Sequence, residues 1–127
     1  MTVNKQGASI TKVRTDGMVI GTYSVGSYPH SITNDGTYIY TADRGASTVL
    51  KVDAATGGLV ATFLVGFVPT AITYDGNYLW VGAEGSGIRK KDPANGNILL
   101  SAGTNFAGYC GSINGLIAAN GGLWVGD

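Results

Sequence analysis

Short apolar runs separated by polar, glycine-rich gaps fill the sequence from end to end. Some runs mix polar and apolar positions, as in Thr37-Tyr38-Ile39-Tyr40-Thr41-Ala42; others are almost wholly apolar, as in Leu59-Val60-Ala61-Thr62-Phe63-Leu64-Val65. Both patterns fit β-strands, and the runs are too short for stable helices. The gaps carry Asp-Gly pairs at Asp35-Gly36 and Asp75-Gly76, a hairpin signal because glycine tolerates positive φ. The pattern predicts strands near 9–14, 18–25, 30–33, 37–42, 48–53, 59–65, 70–73, 77–82, 87–91, 97–101, 115–119 and 122–126. No long helix is expected anywhere in 25–100.

The runs repeat. Val25 to Ala42 reads VGSYPHSITNDGTYIYTA, and Val65 to Gly82 reads VGFVPTAITYDGNYLWVG. Gly26 falls on Gly66, Pro29 on Pro69, Asp35-Gly36 on Asp75-Gly76, and Tyr40 on Trp80. A period of about 40 residues with four strands per unit is the signature of a β-propeller blade. Naming the strands A to D outward, A follows Pro29 or Pro69, where a missing N–H does least harm at a strand start. Strand B follows the Asp-Gly turn, a polar loop leads to C, and Asp53 to Gly57 or Asp92 to Gly96 turns into D.

The ends are incomplete in complementary ways. Ser9 to Gly26 aligns with Ser47 to Gly66 and supplies strands C and D; Asn114 to Asp127 aligns with Pro69 to Ala83 and supplies A and B. The reading divides the chain into 1–26 (C and D of a split blade), 27–66 and 67–104 (whole blades) and 105–127 (A and B of a split blade). Three blades fall short of the usual four to eight. Unpaired B and C edges invite pairing with another chain. Head-to-tail closure of two copies into a six-bladed homodimer satisfies both, because a heterologous contact is stable when it closes. The competing reading is a segment of a longer propeller.

Composition narrows the function. Charged residues make up 13% and the formal net charge is zero, which leaves no basic stripe for nucleic acid. No apolar run reaches the length of a membrane span. The start, MTVNKQGAS, has no apolar core of a signal peptide, although a secreted or surface protein freed of its leader would read the same. The compartment stays open. The single Cys110 has no intrachain disulfide partner and no nearby His, so it reads as an incidental thiol rather than a nucleophile.

Candidate chemistry collects on one rim. In this strand order the D–A and B–C loops share one end of the blades, and the A–B and C–D turns share the other. Residues that vary between units gather on the first rim. They are Tyr28, His30, Phe67 and Tyr109 in D–A loops, and Asp43, Arg44, Glu84 and Asp127 in B–C loops. Variable loops on a rigid scaffold are where binding resides, so these eight form the candidate ligand site. His30, the only histidine, needs a polar partner to act as acid or base, and Asp43 is the nearest by topology. The plainer readings are a solvated rim histidine and a carboxylate that accepts backbone N–H groups. Tyr40, Trp80 and Trp124 recur at one point of strand B and read as filling between blades rather than as sugar platforms. Arg89-Lys90-Lys91 reads as a solvated strand face. No His/Cys cluster or calcium loop suggests a metal, and no cofactor is implied.

The unit resembles the YVTN-type β-propeller repeat. The resemblance rests on Val25-Gly26, Pro29, Ile32, Asp35-Gly36 and Tyr38 to Ala42, then Ser47 to Val49, Val52 to Gly57, Val60 to Thr62 and Val65-Gly66. It is clearest from Val25 to Gly96 and lapses where Thr104 to Ser112 replaces the Val-Gly-x-x-Pro junction. NHL-type repeats and streptogramin lyases are similar in outline; the Pro29-His30 pair matches the Pro-His of lyase blades. The resemblance implies mostly recognition and scaffold roles with a few enzymes. The leading expectation is therefore a non-enzymatic module that binds protein or carbohydrate through the D–A/B–C rim. The alternatives are a lyase- or hydrolase-like site around His30 and a structural part of a larger surface propeller.

Overall fold

A computed structural model describes residues 2–4, 9–83, 87–102 and 113–126, with side chains from Ser9 onward except at Ala102. The described residues contain strands and turns only. The first sheet holds β1 (Thr2–Asn4), β2 (Ser9–Val13) and β3 (Val19–Ser24). The first full blade holds β4 (Pro29–Asn34), β5 (Tyr38–Asp43), β6 (Thr48–Asp53) and β7 (Leu59–Leu64) in sequential order. The second holds β8 (Pro69–Tyr74), β9 (Leu79–Ala83), β10 (Gly87–Lys91) and β11 (Ile98–Ala102), also sequential. A closing hairpin pairs β12 (Gly115–Ala119) with β13 (Gly122–Gly126). All neighbours are antiparallel, so this is an all-β propeller array of four-stranded blades.

The turns follow from their residues. Ala119 pairs with Gly122, which leaves Asn120-Gly121 as a two-residue loop, and both carry positive φ, 52° and 74°. That is a type I′ turn, the one whose twist matches a hairpin. In the full blades Asp35 and Asp75 do more than turn the chain. Asp35 Oδ1 accepts the N–H groups of Thr37 and Tyr38, and its Oδ2 accepts the Tyr40 hydroxyl at 2.8 Å. Asp75 does the same for Asn77, Tyr78 and the Trp80 indole N–H at 2.8 Å. The recurring Asp thus ties each A–B turn to the ring of strand B.

The core lies between blades. Ile39, Leu50 and Val52 face the first sheet and meet Ile10 and Val25. Tyr40, Ala42 and Val49, one residue out of phase, face the second blade and meet Ile72, Leu79 and Val81. Ala71 and Ile88 pack with Ile113 towards the closing hairpin. Full burial of each aliphatic side chain is worth about 1.5–3 kcal/mol. A one-residue slip would therefore forfeit a whole face.

Two details depart from the sequence reading. The first is β1, for which no strand was expected. It pairs with β2 as Asn4 opposite Ser9 and Val3 opposite Ile10. The first full blade has Asp43 opposite Thr48 and Ala42 opposite Val49, so β1 stands where the last residues of a strand B belong. The second concerns Arg89-Lys90-Lys91, which is not a solvated face. Lys91 is fully buried and donates to Leu64 O at 3.0 Å. Arg89 donates to Val65 O and stacks on Phe67 with its guanidinium carbon 4.3 Å from the ring centroid. Alternation could not show this, because polar heads bonded to carbonyls of the neighbouring loop are compatible with burial.

Candidate functional site

The rim predicted to carry variable residues is built as the strand order required. Arg44 N–H donates to Tyr28 O at 2.8 Å, which locks the β5–β6 loop to the β3–β4 loop. On the opposite rim, Ala54 N–H donates to Thr37 O at 3.1 Å, joining the C–D and A–B turns.

Asp43 organises the first rim from beneath. It is fully buried at the end of β5. Its Oδ2 accepts Ser27 N–H at 2.8 Å; its Oδ1 accepts Tyr28 N–H at 2.8 Å, Gly45 N–H at 3.0 Å and the Ser27 hydroxyl at 3.3 Å. A carboxylate that accepts this many bonds is saturated, so Asp43 holds the loop in shape. The second blade replaces Asp43 by Ala83 and supports its loop from the other side, through Arg89 and Phe67. Phe67 is accordingly buried.

His30 is half-buried at the start of β4. Its Nδ1 lies 2.9 Å from Thr70 O and donates there, since a carbonyl can only accept. The Tyr28 ring stacks against the imidazole at 6.3 Å between centroids and 26° between planes. Tyr28 is itself exposed. Thus Tyr28 and His30 stand together and Arg44 joins them across the rim. Asp43 spends its oxygens on the loop. Glu84, Tyr109 and Asp127 lie outside the described residues.

An open cleft of about 540 Å³ lies on this rim, lined by Tyr28, Arg44, Gly45 and Val68. It offers an aromatic face and phenol, a guanidinium and an apolar wall. Such a set can make contact with a sugar ring or a protein side chain. Among the described residues no group of three His, Cys, Asp or Glu could hold a metal ion, and no helix is long and apolar enough to cross a membrane. Sequence reasoning missed Arg89 and Lys91 as parts of this region. Only the replacement of Asp43 by Ala83 hinted that the second loop needed another support.

No protein-family model matches the sequence, and no curated protein matches it. Solved structures do match in fold. Hydrazine synthase of Kuenenia stuttgartiensis matches with a TM-score of 0.78 and 22% identity over 89% of this chain and 33% of that one. Virginiamycin B lyase from Staphylococcus aureus gives a TM-score of 0.76 and 20% identity over 95% of this chain and 42% of that one. The WD40 repeats of RRP9 give 0.75 and 16% over 91% and 37%. The chain thus spans roughly a third to two-fifths of these propellers. At such identities the likeness establishes the propeller fold, and function must be argued from the site.

Proposed function

We propose that the chain is a non-enzymatic propeller module of YVTN type, whose D–A/B–C rim recognises a protein or carbohydrate and whose ends close head to tail with a second copy. The observation that carries the recognition reading is the division of labour on the rim. The two residues best suited to catalysis, His30 and Asp43, are engaged with backbone groups of the loops. Tyr28, Arg44, Gly45 and Val68 line the open cleft. The closure reading is supported by the edge of β13, which no strand among the described residues pairs, and by its apolar exposure at Trp124 and Val125. Closure sets β13 of one copy against β2 of another, so β1 must give way along Ser9 to Thr11.

The recognition test is a glycan array and a pull-down with wild type, Tyr28→Ala and Arg44→Ala. Binding that falls about tenfold or more in both variants supports the reading. A ligand retained by both, and lost instead on changes at the Asp35 and Asp75 turns, would place recognition on the opposite rim. A lyase- or hydrolase-like site is checked by screening wild type against His30→Ala for turnover.

A further inference from the structure

Successive blades in this chain are joined by a repeated lysine contact, and the last of these lysines lacks its acceptor among the described residues. Lys12, Lys51 and Lys90 hold one position of strand C, each three residues beyond Ser9, Thr48 and Gly87. Lys12 Nζ donates to Ala54 O at 3.5 Å, a long bond into the C–D turn of the next blade. Lys51 Nζ donates to Pro93 O at 2.9 Å in the C–D turn of the blade after that. Ala54 and Pro93 are equivalent, each following the Asp that opens its turn.

Lys90 is posed as Lys51 is. Its Nζ lies 4.0 Å from the Tyr78 ring centroid and 5.6 Å from that of Trp80. Lys51 lies 4.2 Å and 5.8 Å from Tyr38 and Tyr40. The turn side of the contact is left over at the other end of the array. Gly57 of one C–D turn presses on Tyr23 of the preceding blade, and Gly96 of the next presses on Phe63; a Cβ on either would fall 2.1 or 2.3 Å from those rings. Gly17, in the corresponding turn of the first sheet, has nothing within 4 Å of that position. The rings of strand B report the same gradient: Tyr40 is fully buried, Trp80 half-buried and Trp124 63% exposed. Beside Trp80 lies an open groove of about 490 Å³, lined by Asp75, Asn77 and the β12–β13 turn. At the preceding junction Tyr74 packs into the core; its counterpart before the Asn-Gly turn is only Ala119.

We infer that a second copy of this chain docks its Arg14–Gly17 turn at this end of the array, where Lys90 Nζ donates to the Thr15 carbonyl, the counterpart of Ala54 and Pro93. The inference rests on the head-to-tail reading and identifies the contact that stitches its junction. The lysine supplies a charge-assisted bond to a carbonyl, and the exposed loop backbone supplies the acceptor without any special side chain.

The experiment is sedimentation over a dilution series with wild type, Lys90→Met and Lys12→Met. A zero-length carbodiimide cross-link of mixed ¹⁴N and ¹⁵N wild-type copies accompanies it, scored for a mixed-isotope peptide joining Lys90 to Asp16. A bond of this kind is worth roughly tenfold in an equilibrium constant. A closed dimer holds it twice, so Lys90→Met is expected to weaken dimerisation about a hundredfold. Lys12→Met, whose contact lies within one chain, should leave dimerisation within about twofold, and the Lys90–Asp16 peptide should form. A wild-type dimer that Lys90→Met does not weaken, or that yields no such peptide, overturns the contact and leaves closure standing. A wild type monomeric at every concentration overturns closure and the contact with it. Assemblies larger than a dimer that dissociate in Lys90→Met support the contact and reject the six-bladed ring.

Discussion

At the residue scale, buried polar side chains in this protein serve loops. Asp43 is the clearest case, since it accepts the N–H groups of Ser27, Tyr28 and Gly45 from a fully buried position. Replacing it by Ala leaves buried donors without partners, at about 1–3 kcal/mol each where water cannot reach them. Asp43→Ala is therefore expected to destabilise the fold by about 2–4 kcal/mol, read as a lower urea midpoint. A loss under 1 kcal/mol would mean that the loop does not depend on it. Asp35 and Asp75 titrate below the usual carboxylate range. Burial alone would raise both, but it is more than offset by the bonds each accepts from backbone N–H groups and a strand-B ring, with Lys51 or Lys90 nearby. A carboxylate depressed in the folded state contributes stability above the unfolded value near 4, and that contribution is lost as pH falls through the folded value. Stability should thus decline below about pH 4. Asp35→Asn with Asp75→Asn should flatten that decline, and urea midpoints at neutral and acid pH decide it. Solvent screening keeps the effect small.

At the element scale, the strands were legible because short apolar runs and Asp-Gly turns are local signals. Every expected strand from Ser9 to Gly126 is present, with ends shifted by a residue or two. The Asp that ties each turn to the strand-B ring was visible only as a turn residue, although its fixed spacing from Tyr40 and Trp80 was in view. Lys91 was illegible because its partner is a main-chain carbonyl of β7, and a sequence pattern does not encode carbonyl positions. The rim was legible as a location: Tyr28, His30 and Arg44 do converge. What Asp43 faces was not, since one carboxylate in a loop reads alike whether it meets ligand or backbone. Thr2-Val3-Asn4 carries no strand signal beyond its length, yet it takes the open β2 edge. Under the closure proposal it occupies the place of a second copy's β13. Deleting residues 1–4 should free Ser9 to Thr11 and tighten association a few-fold to about tenfold, given roughly 1 kcal/mol per backbone bond released from competition. Sedimentation would read this, and weaker association after the deletion would show that β1 supports the junction instead.

At the scale of the whole molecule, the array has two unlike ends. One presents the β12–β13 hairpin with Trp124 and Val125 exposed; the other presents β2, β3 and the open space around Gly17. Each interior junction buries what these ends leave exposed, as Tyr40 shows against Trp124. Under the closure proposal these two ends meet in a heterologous contact, which forms a closed ring or an open fibre. Trp124 makes the outcome measurable without modifying the chain. In a monomer its indole is largely exposed, and its Nε1 donates to Ala119 O at 3.3 Å. Closure would cover it with the second copy's first full blade, as the second blade covers Tyr40. Tryptophan emission should therefore shift to the blue with rising concentration, in step with the gain in mass. Trp80→Phe should keep the shift, because Trp124 reports it, and Trp124→Phe should lose most of it. Association that leaves the exposure of Trp124 to a soluble quencher unchanged would falsify docking at this end.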